Sequence, residues 1–182
     1  LFTTCDPAAS VKAGPGDTEI WKHAPSWTVI CTWLLTPDNI LCLLDMRRFR
    51  KEIPEIFPVL QQVYQTYHPE FIGIESGGVN IGVTQMADRI GLPVRPLAPR
   101  SQDKLVRATD ACVRMEQGKI FLPESASWLD DCESELFSWT GHPYEPADII
   151  DNFAYAALLI SEMASTEVFR TVYATSLPEV WS

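Results

Sequence analysis

The chain has 182 residues, 46% of them hydrophobic, and a formal net charge of -10. That length fits a single domain able to fill a core, and no uninterrupted apolar run reaches the roughly 18 residues that a membrane-spanning helix needs. The acidic balance argues against a simple basic nucleic-acid-binding module, and five cysteines without a CxxC pair argue for core thiols in a reducing compartment rather than a zinc site. The opening LFTTCDPAAS has neither a basic region nor a long apolar stretch, so no signal peptide is expected. It starts at Leu1 and already reads as strand, which suggests an excised domain or a processed product.

In chain order, residues 2–5 predict a strand that stops at Asp6-Pro7. Residues 8–25 are rich in Gly, Pro and small side chains and predict a loop. WTVICTWLL, residues 27–35, and ILCLLD, residues 40–45, predict strands joined as an antiparallel hairpin through the turn TPDN. Ile56, Leu60, Val63 and Tyr67 recur at helical spacing, so a helix runs from Pro54 to about Tyr67. FIGIE, residues 71–75, predicts the next strand. A helix follows Asn80 and is capped at Gly91, and LPVRPL is a short extended segment.

Ser101 is placed to cap a helix that carries Leu105, Ala108, Cys112 and Met115 and ends at Gly118. KIFLP predicts a short strand. Ser127 opens a further helix, and a long apolar helix begins near Pro146 with ADIIDNFAYAALLISEMA. A domain over residues 1–165 is expected, with a tail over 166–182 whose structure the pattern leaves open. Three antiparallel strands followed by alternating helices and strands predict an α/β fold: a ribonuclease-H-like mixed sheet, antiparallel first and then parallel, flanked by helices.

In such a sheet Asp6 and Glu75 both stand at the C-terminal ends of strands, where ligand sites of open α/β sheets gather. The fourth strand is expected to pair parallel to the first after a helical crossover. Gly77 and Gly78 leave room for a backbone or phosphate. Asp148 and Asp151 lie three apart at the start of the last long helix, among core-like Ile149, Ile150 and Phe153. Carboxylates in such surroundings are costly unless paired, hydrogen-bonded or bound to a cation. A helix N-terminus also favours a carboxylate, so Asp148 as its own helix's cap and Asp151 as a satisfied surface acid are the plainer readings. Convergent acids without a His or Cys partner indicate a hard cation, Mg²⁺ or Mn²⁺. Two such ions about 3.5–4 Å apart suit phosphodiester hydrolysis.

These pieces together resemble the C-terminal nuclease domain of the large terminase subunit of tailed bacteriophages. The matching stretches are TTCDPAAS, LCLLDMRRFR, FIGIESGG, SQDKLVRATDACVRMEQGKIFLP and ADIIDNFAYA, over roughly residues 3–163. The most particular is Asp103-Lys104-Leu105-Val106-Arg107-Ala108, followed by a helix, a Gly and a short strand ending in Pro. The resemblance implies an endonuclease that cuts concatemeric double-stranded DNA at the start and end of packaging, by a two-ion mechanism. Asp6, Glu75 and Asp148 would be catalytic, and the same three with Asp151 would hold two Mg²⁺ or Mn²⁺ ions. Ala147 departs from the family's usual Asp-Asp-x-x-Asp stretch, where the first Asp stands. Ser26 matches the acid or Ser that precedes the second strand, and Asp17 is a poor ligand candidate.

Lys104 and Arg107 would hold a phosphate or damp repulsion among the acids. Arg47 and Arg48, read as following the third strand, would touch the DNA backbone. For all four a solvated face is the competing reading. His142 reads as a loop residue, and tryptophans 27, 33, 128 and 139 as packing residues. The family implies an ATPase domain, a small terminase subunit and a portal as partners, and the cytoplasm of an infected bacterium as location. No GxxxxGK[ST] occurs, so the chain itself carries no phosphate-binding loop of that type. Two alternatives stay open: a Holliday-junction resolvase or ribonuclease H relative, and a non-catalytic packaging or assembly module on the same fold.

Overall fold

The computed structural model describes residues 1–8, 27–77, 80–98, 104–142, 145 and 147–176, the stretch 165–176 by its backbone alone. Ser26, Asp17, Gly78, Arg100, Ser101, Asp103 and Pro146 therefore lie outside the described residues. The elements are β1 (Phe2–Asp6), β2 (Thr28–Leu35), β3 (Leu41–Phe49), α1 (Ile53–Tyr67), β4 (Ile72–Glu75), α2 (Asn80–Arg89), β5 (Val94–Leu97), α3 (Lys104–Glu116), β6 (Ile120–Phe121), α4 (Leu129–Ser138) and α5 (Asp148–Ser176).

Six strands form one sheet in the order β5-β4-β1-β2-β3-β6. β1, β2 and β3 are antiparallel neighbours. β4 joins β1 in parallel, β5 joins β4 in parallel, and β6 joins β3 in parallel. This is the mixed sheet expected from the sequence. The segment read as merely extended, LPVRPL, supplies the edge strand β5.

The third strand runs four residues further than its apolar pattern suggests. Its pairing with β2 continues through Ile30↔Arg47, Val29↔Arg48 and Thr28↔Phe49. Arg47 and Arg48 therefore lie inside β3 and not after it. A long antiparallel partner keeps the ladder going even where side chains are charged, because the backbone groups need partners whatever the side chain.

Alternation of side chains along the strands divides the core in two. Cys5, Ile30, Ile72 and Ile74 face one side, where Ile56, Leu60 and Val63 of α1 and Val83 and Ala87 of α2 cover them. Phe2, Val29, Cys31, Trp33, Leu41 and Leu43 face the other, under Ile149, Phe153, Ala156, Ala157 and Leu159 of α5. Trp33 meets the Phe153 ring edge-on at 4.9 Å, and its indole N–H donates to Thr4 Oγ1 at 2.9 Å.

α5 is buried without interruption from Asp151 to Ile160. Its alanines let it lie close to the sheet, and Gly73 of β4 completes the fit. A Cβ at Gly73 would stand 2.8 Å from Leu97 Cδ1 and 3.2 Å from Leu159 Cδ1. Glycine inside a strand here marks a close approach.

Candidate active site

Two alternations converge on one place. Asp6 shares a face of β1 with Phe2 and Thr4, and Glu75 shares a face of β4 with Gly73. Both faces lie on the α5 side of the sheet. The parallel register Thr4↔Gly73 and Cys5↔Ile74 then carries Asp6 to the level of Glu75. Their side chains lie within hydrogen-bonding reach of each other. Burial pushes the Asp6 pKa well above the ordinary carboxylate range, and the bond to Glu75 and the charges of Glu75, Asp151 and Asp148 push it the same way.

α5 brings the other two acids. Asp148 and Asp151 join Asp6, Glu75, Lys104 and Arg107 in lining an open cleft of about 250 Å³, with Pro7, Ala8 and Trp27 on its wall. Asp148 Oδ2 accepts a hydrogen bond from the Trp27 backbone N–H at 3.1 Å. Burial nevertheless raises the Asp148 pKa, against the lowering influence of Trp27, Lys104 and Arg48. Asp151 is engaged at both oxygens: Arg107 Nη2 donates to Oδ1 at 2.6 Å, and Lys104 Nζ lies 3.2 Å from Oδ2. Among the described residues, then, Asp151 is ion-paired with both cations, and Asp6, Glu75 and Asp148 make no ion pair.

α3 presents both cations from one face because Lys104 and Arg107 are three residues apart. Both lie in the cleft. Arg48, by contrast, is turned inward, with Nη2 3.2 Å from Glu135 Oε2 and its guanidinium over the Trp27 ring. Arg47 pairs with Asp45 at 3.1 Å and donates to Gln62 at 2.8 Å. Neither lines the cleft. His142 is exposed and also outside its lining. Ala147 is buried in an apolar cluster with Ala108 and Ile150, away from the cleft. A methyl there suits its surroundings, and the trio of acids assembles without it. An added Cβ at Gly77 would stand in ordinary contact, 3.7 Å from Glu75 Oε1, so no protein atom demands glycine at that position.

Three residues of the site escape the sequence reading. Trp27 supplies a backbone donor to Asp148 and a ring that carries Arg48 and, at 4.0 Å, Arg50. Glu135 of α4 is buried, and its Oε1 accepts the Ile149 N–H at 2.7 Å. Its signal was available: three residues after Cys132, Glu135 sits on the apolar face of its helix. Tyr155, one turn beyond Asp151, is buried with a hydroxyl that has no hydrogen-bond partner among the described residues. Burial and the charges of Glu75, Asp6 and Asp151 push its pKa far up.

Oxygen-only donors of this kind fit a hard divalent cation. The raised pKa of Asp6 is what a crowded carboxylate site displays before a cation offsets its charge. Among the described residues no three acids stand as a ready-made chelating group. Asp6 is tied to Glu75, and Asp151 to its two cations, so side-chain rotation must accompany binding.

No family model and no curated protein matches the chain. Solved structures do. The large terminase nuclease from the thermophilic phage G20c, with bound magnesium, superposes with a TM-score of 0.58 at 16% identity, over 72% of this chain and 74% of that one. The same nuclease with bound zinc gives 0.56 at 20% identity, over 71% of each chain. The yeast mitochondrial Holliday junction resolvase Ydc2 gives 0.60 at 12% identity, over 97% of this chain and 86% of that one. The chain has the ribonuclease-H-like fold, and terminase large-subunit nuclease domains are among its structural neighbours.

Proposed function

We propose that the chain is a metal-dependent endonuclease of double-stranded DNA, serving as the nuclease part of a viral packaging terminase. The observation that carries this reading is the meeting of Asp6, Glu75 and Asp148 in one cleft with Lys104 and Arg107, at the C-terminal ends of β1 and β4. Asp6, Glu75 and Asp148 would hold Mg²⁺ or Mn²⁺, with Asp151 joining if its two cations turn to DNA. A pair of such ions, when bound, lowers the pKa of the attacking water and stabilises the leaving oxygen.

This chain's own residues do the rest. Asp6 gives up the proton that its raised pKa retains, and Asp6 and Glu75 present oxygens from neighbouring strands. The Trp27 N–H orients Asp148. Lys104 and Arg107 are poised to exchange Asp151 for a phosphate, which would draw the DNA backbone toward the acids. Contacts to phosphates rather than base edges imply low sequence preference. Arg47, partly exposed on β3, would contribute to DNA binding, whereas Arg48 is committed to Glu135. An ATPase domain, a small subunit and a portal would deliver the DNA, in the cytoplasm of an infected bacterium.

The test is nicking of supercoiled plasmid in Mn²⁺. Asp6→Asn or Glu75→Gln lowers the rate at least about 100-fold, more than a supporting residue would. Full activity in the Asp6→Asn protein contradicts the reading. A Holliday-junction resolvase is the second reading, favoured by the 97% of this chain that superposes on Ydc2. Parallel cleavage of linear duplex, a four-way junction and an RNA–DNA hybrid decides between them. A chain that cuts none of these, and gains no thermal stability from Mn²⁺, is the non-catalytic assembly module.

A further inference from the structure

We infer that Glu135 is a positioning residue for Asp148: it caps α5 from outside and so fixes the helix end that carries Asp148 into the cleft. The Ala147 carbonyl accepts the first intrahelical bond, from Asp151 N–H at 2.8 Å, so Ala147 holds the cap position, and its methyl cannot accept from the free N–H groups that follow. Asp148, the next residue, bonds through its carboxylate to Trp27 on β2's approach. The free N–H groups are met from elsewhere. Glu135, on α4, reaches across so that Oε1 accepts from Ile149 N–H at 2.7 Å and from Ile150 N–H at 3.3 Å.

The second oxygen of Glu135 is held by Arg48 Nη2 at 3.2 Å, and the Arg48 guanidinium lies 4.7 Å over the Trp27 ring. Arg48 thereby braces both supports of Asp148: the carboxylate that caps its helix and the indole whose backbone N–H holds its oxygen. Glu135 is only 6% exposed, and a buried carboxylate is retained at a cost unless every oxygen is satisfied, as here. A Leu or Ala would pack more cheaply against Cys132 and Ile149, so the carboxylate answers a positional need. Asn152 adds a third tie, its Nδ2 donating to the carbonyl of Asp148 at 3.0 Å and to that of Val29 at 3.3 Å.

The inference rests on the metal-dependent reading of the cleft, and its test separates the two. Mn²⁺ affinity is measured by calorimetry on the intact chain, beside the melting temperature. Glu135→Ala is expected to weaken Mn²⁺ binding about 10-fold or more, the scale of lost support behind a metal ligand. Glu135→Gln, which keeps an acceptor for Ile149, restores most of the affinity. In an Asp148→Asn background Glu135→Ala has little further effect, because its influence passes through Asp148. If Glu135→Ala does not fold, Glu135→Asp shortens the reach by one methylene and serves in its place, with the same loss expected. Native affinity in a destabilised Glu135 variant overturns the inference, as does an equal loss in the Asp148→Asn background. Absence of Mn²⁺ binding by the unaltered chain removes the metal reading itself and the inference with it.

Discussion

Asp6 shows how a single carboxyl can be costly to the fold and necessary to the site. Its pKa is raised in the folded chain by burial first and by Glu75 second, and that of Asp148 is raised by burial. Folded protein therefore binds more protons than unfolded protein above the free-acid value of about 3.9, and stability falls as pH rises through the shifted values. Without divalent ions, Asp6→Asn should melt higher than the native chain at pH 7 to 8, with the difference fading as pH drops below about 4. Melting curves across pH check this; a lower melting point for Asp6→Asn at neutral pH would contradict it. Tyr155 poses the converse question, a buried hydroxyl with no hydrogen-bond partner among the described residues. An unmade hydrogen bond costs about 1–3 kcal/mol, so Tyr155→Phe should leave stability equal or raise it by up to about 1 kcal/mol in urea unfolding.

At the scale of elements, the site depends on α5 packing directly over β4 at Gly73. Gly73 permits that approach, and Leu97 and Leu159 fill the space where its side chain would be. Gly73→Ala should destabilise the chain by about 1–3 kcal/mol, the usual cost of overpacking, and weaken Mn²⁺ binding by moving Asp148 away from Glu75. Denaturant midpoints and calorimetry report the two effects separately. α3 packs beside α5 and brings Lys104 and Arg107 to Asp151. Their ion pairs hold that acid at both oxygens, whereas Asp6, Glu75 and Asp148 make no ion pair among the described residues.

At the scale of the whole molecule, a net charge of -10 opposes approach to DNA, and divalent ions in the acid cleft reduce that opposition locally. Mn²⁺ should raise the melting temperature, and by more as pH rises, since binding must displace the protons held by Asp6 and Asp148. Cleavage-deficient Asp6→Asn protein should bind duplex DNA with a salt dependence that loses about one unit of slope in each of Lys104→Ala and Arg107→Ala. A slope unchanged by both substitutions would remove these cations from the DNA path. Among the described residues no helix is long and apolar enough to cross a membrane.

The local patterns of the chain determined the strands, the helices and their order, because alternation and helical spacing are properties of neighbours in sequence. They also singled out Asp6, Glu75, Asp148 and Asp151, since an acid at the end of an apolar strand or inside an apolar helix is conspicuous by its cost. Only the tertiary structure decided which of the acids is ion-paired, that Ala147 belongs to an apolar cluster, and that Arg48 turns inward to Glu135. Those outcomes depend on partners far apart in sequence, 121 residues in the case of Trp27 and Asp148. Charges and hydrogen bonds are settled by which groups meet across packed elements, and no local pattern encodes that meeting.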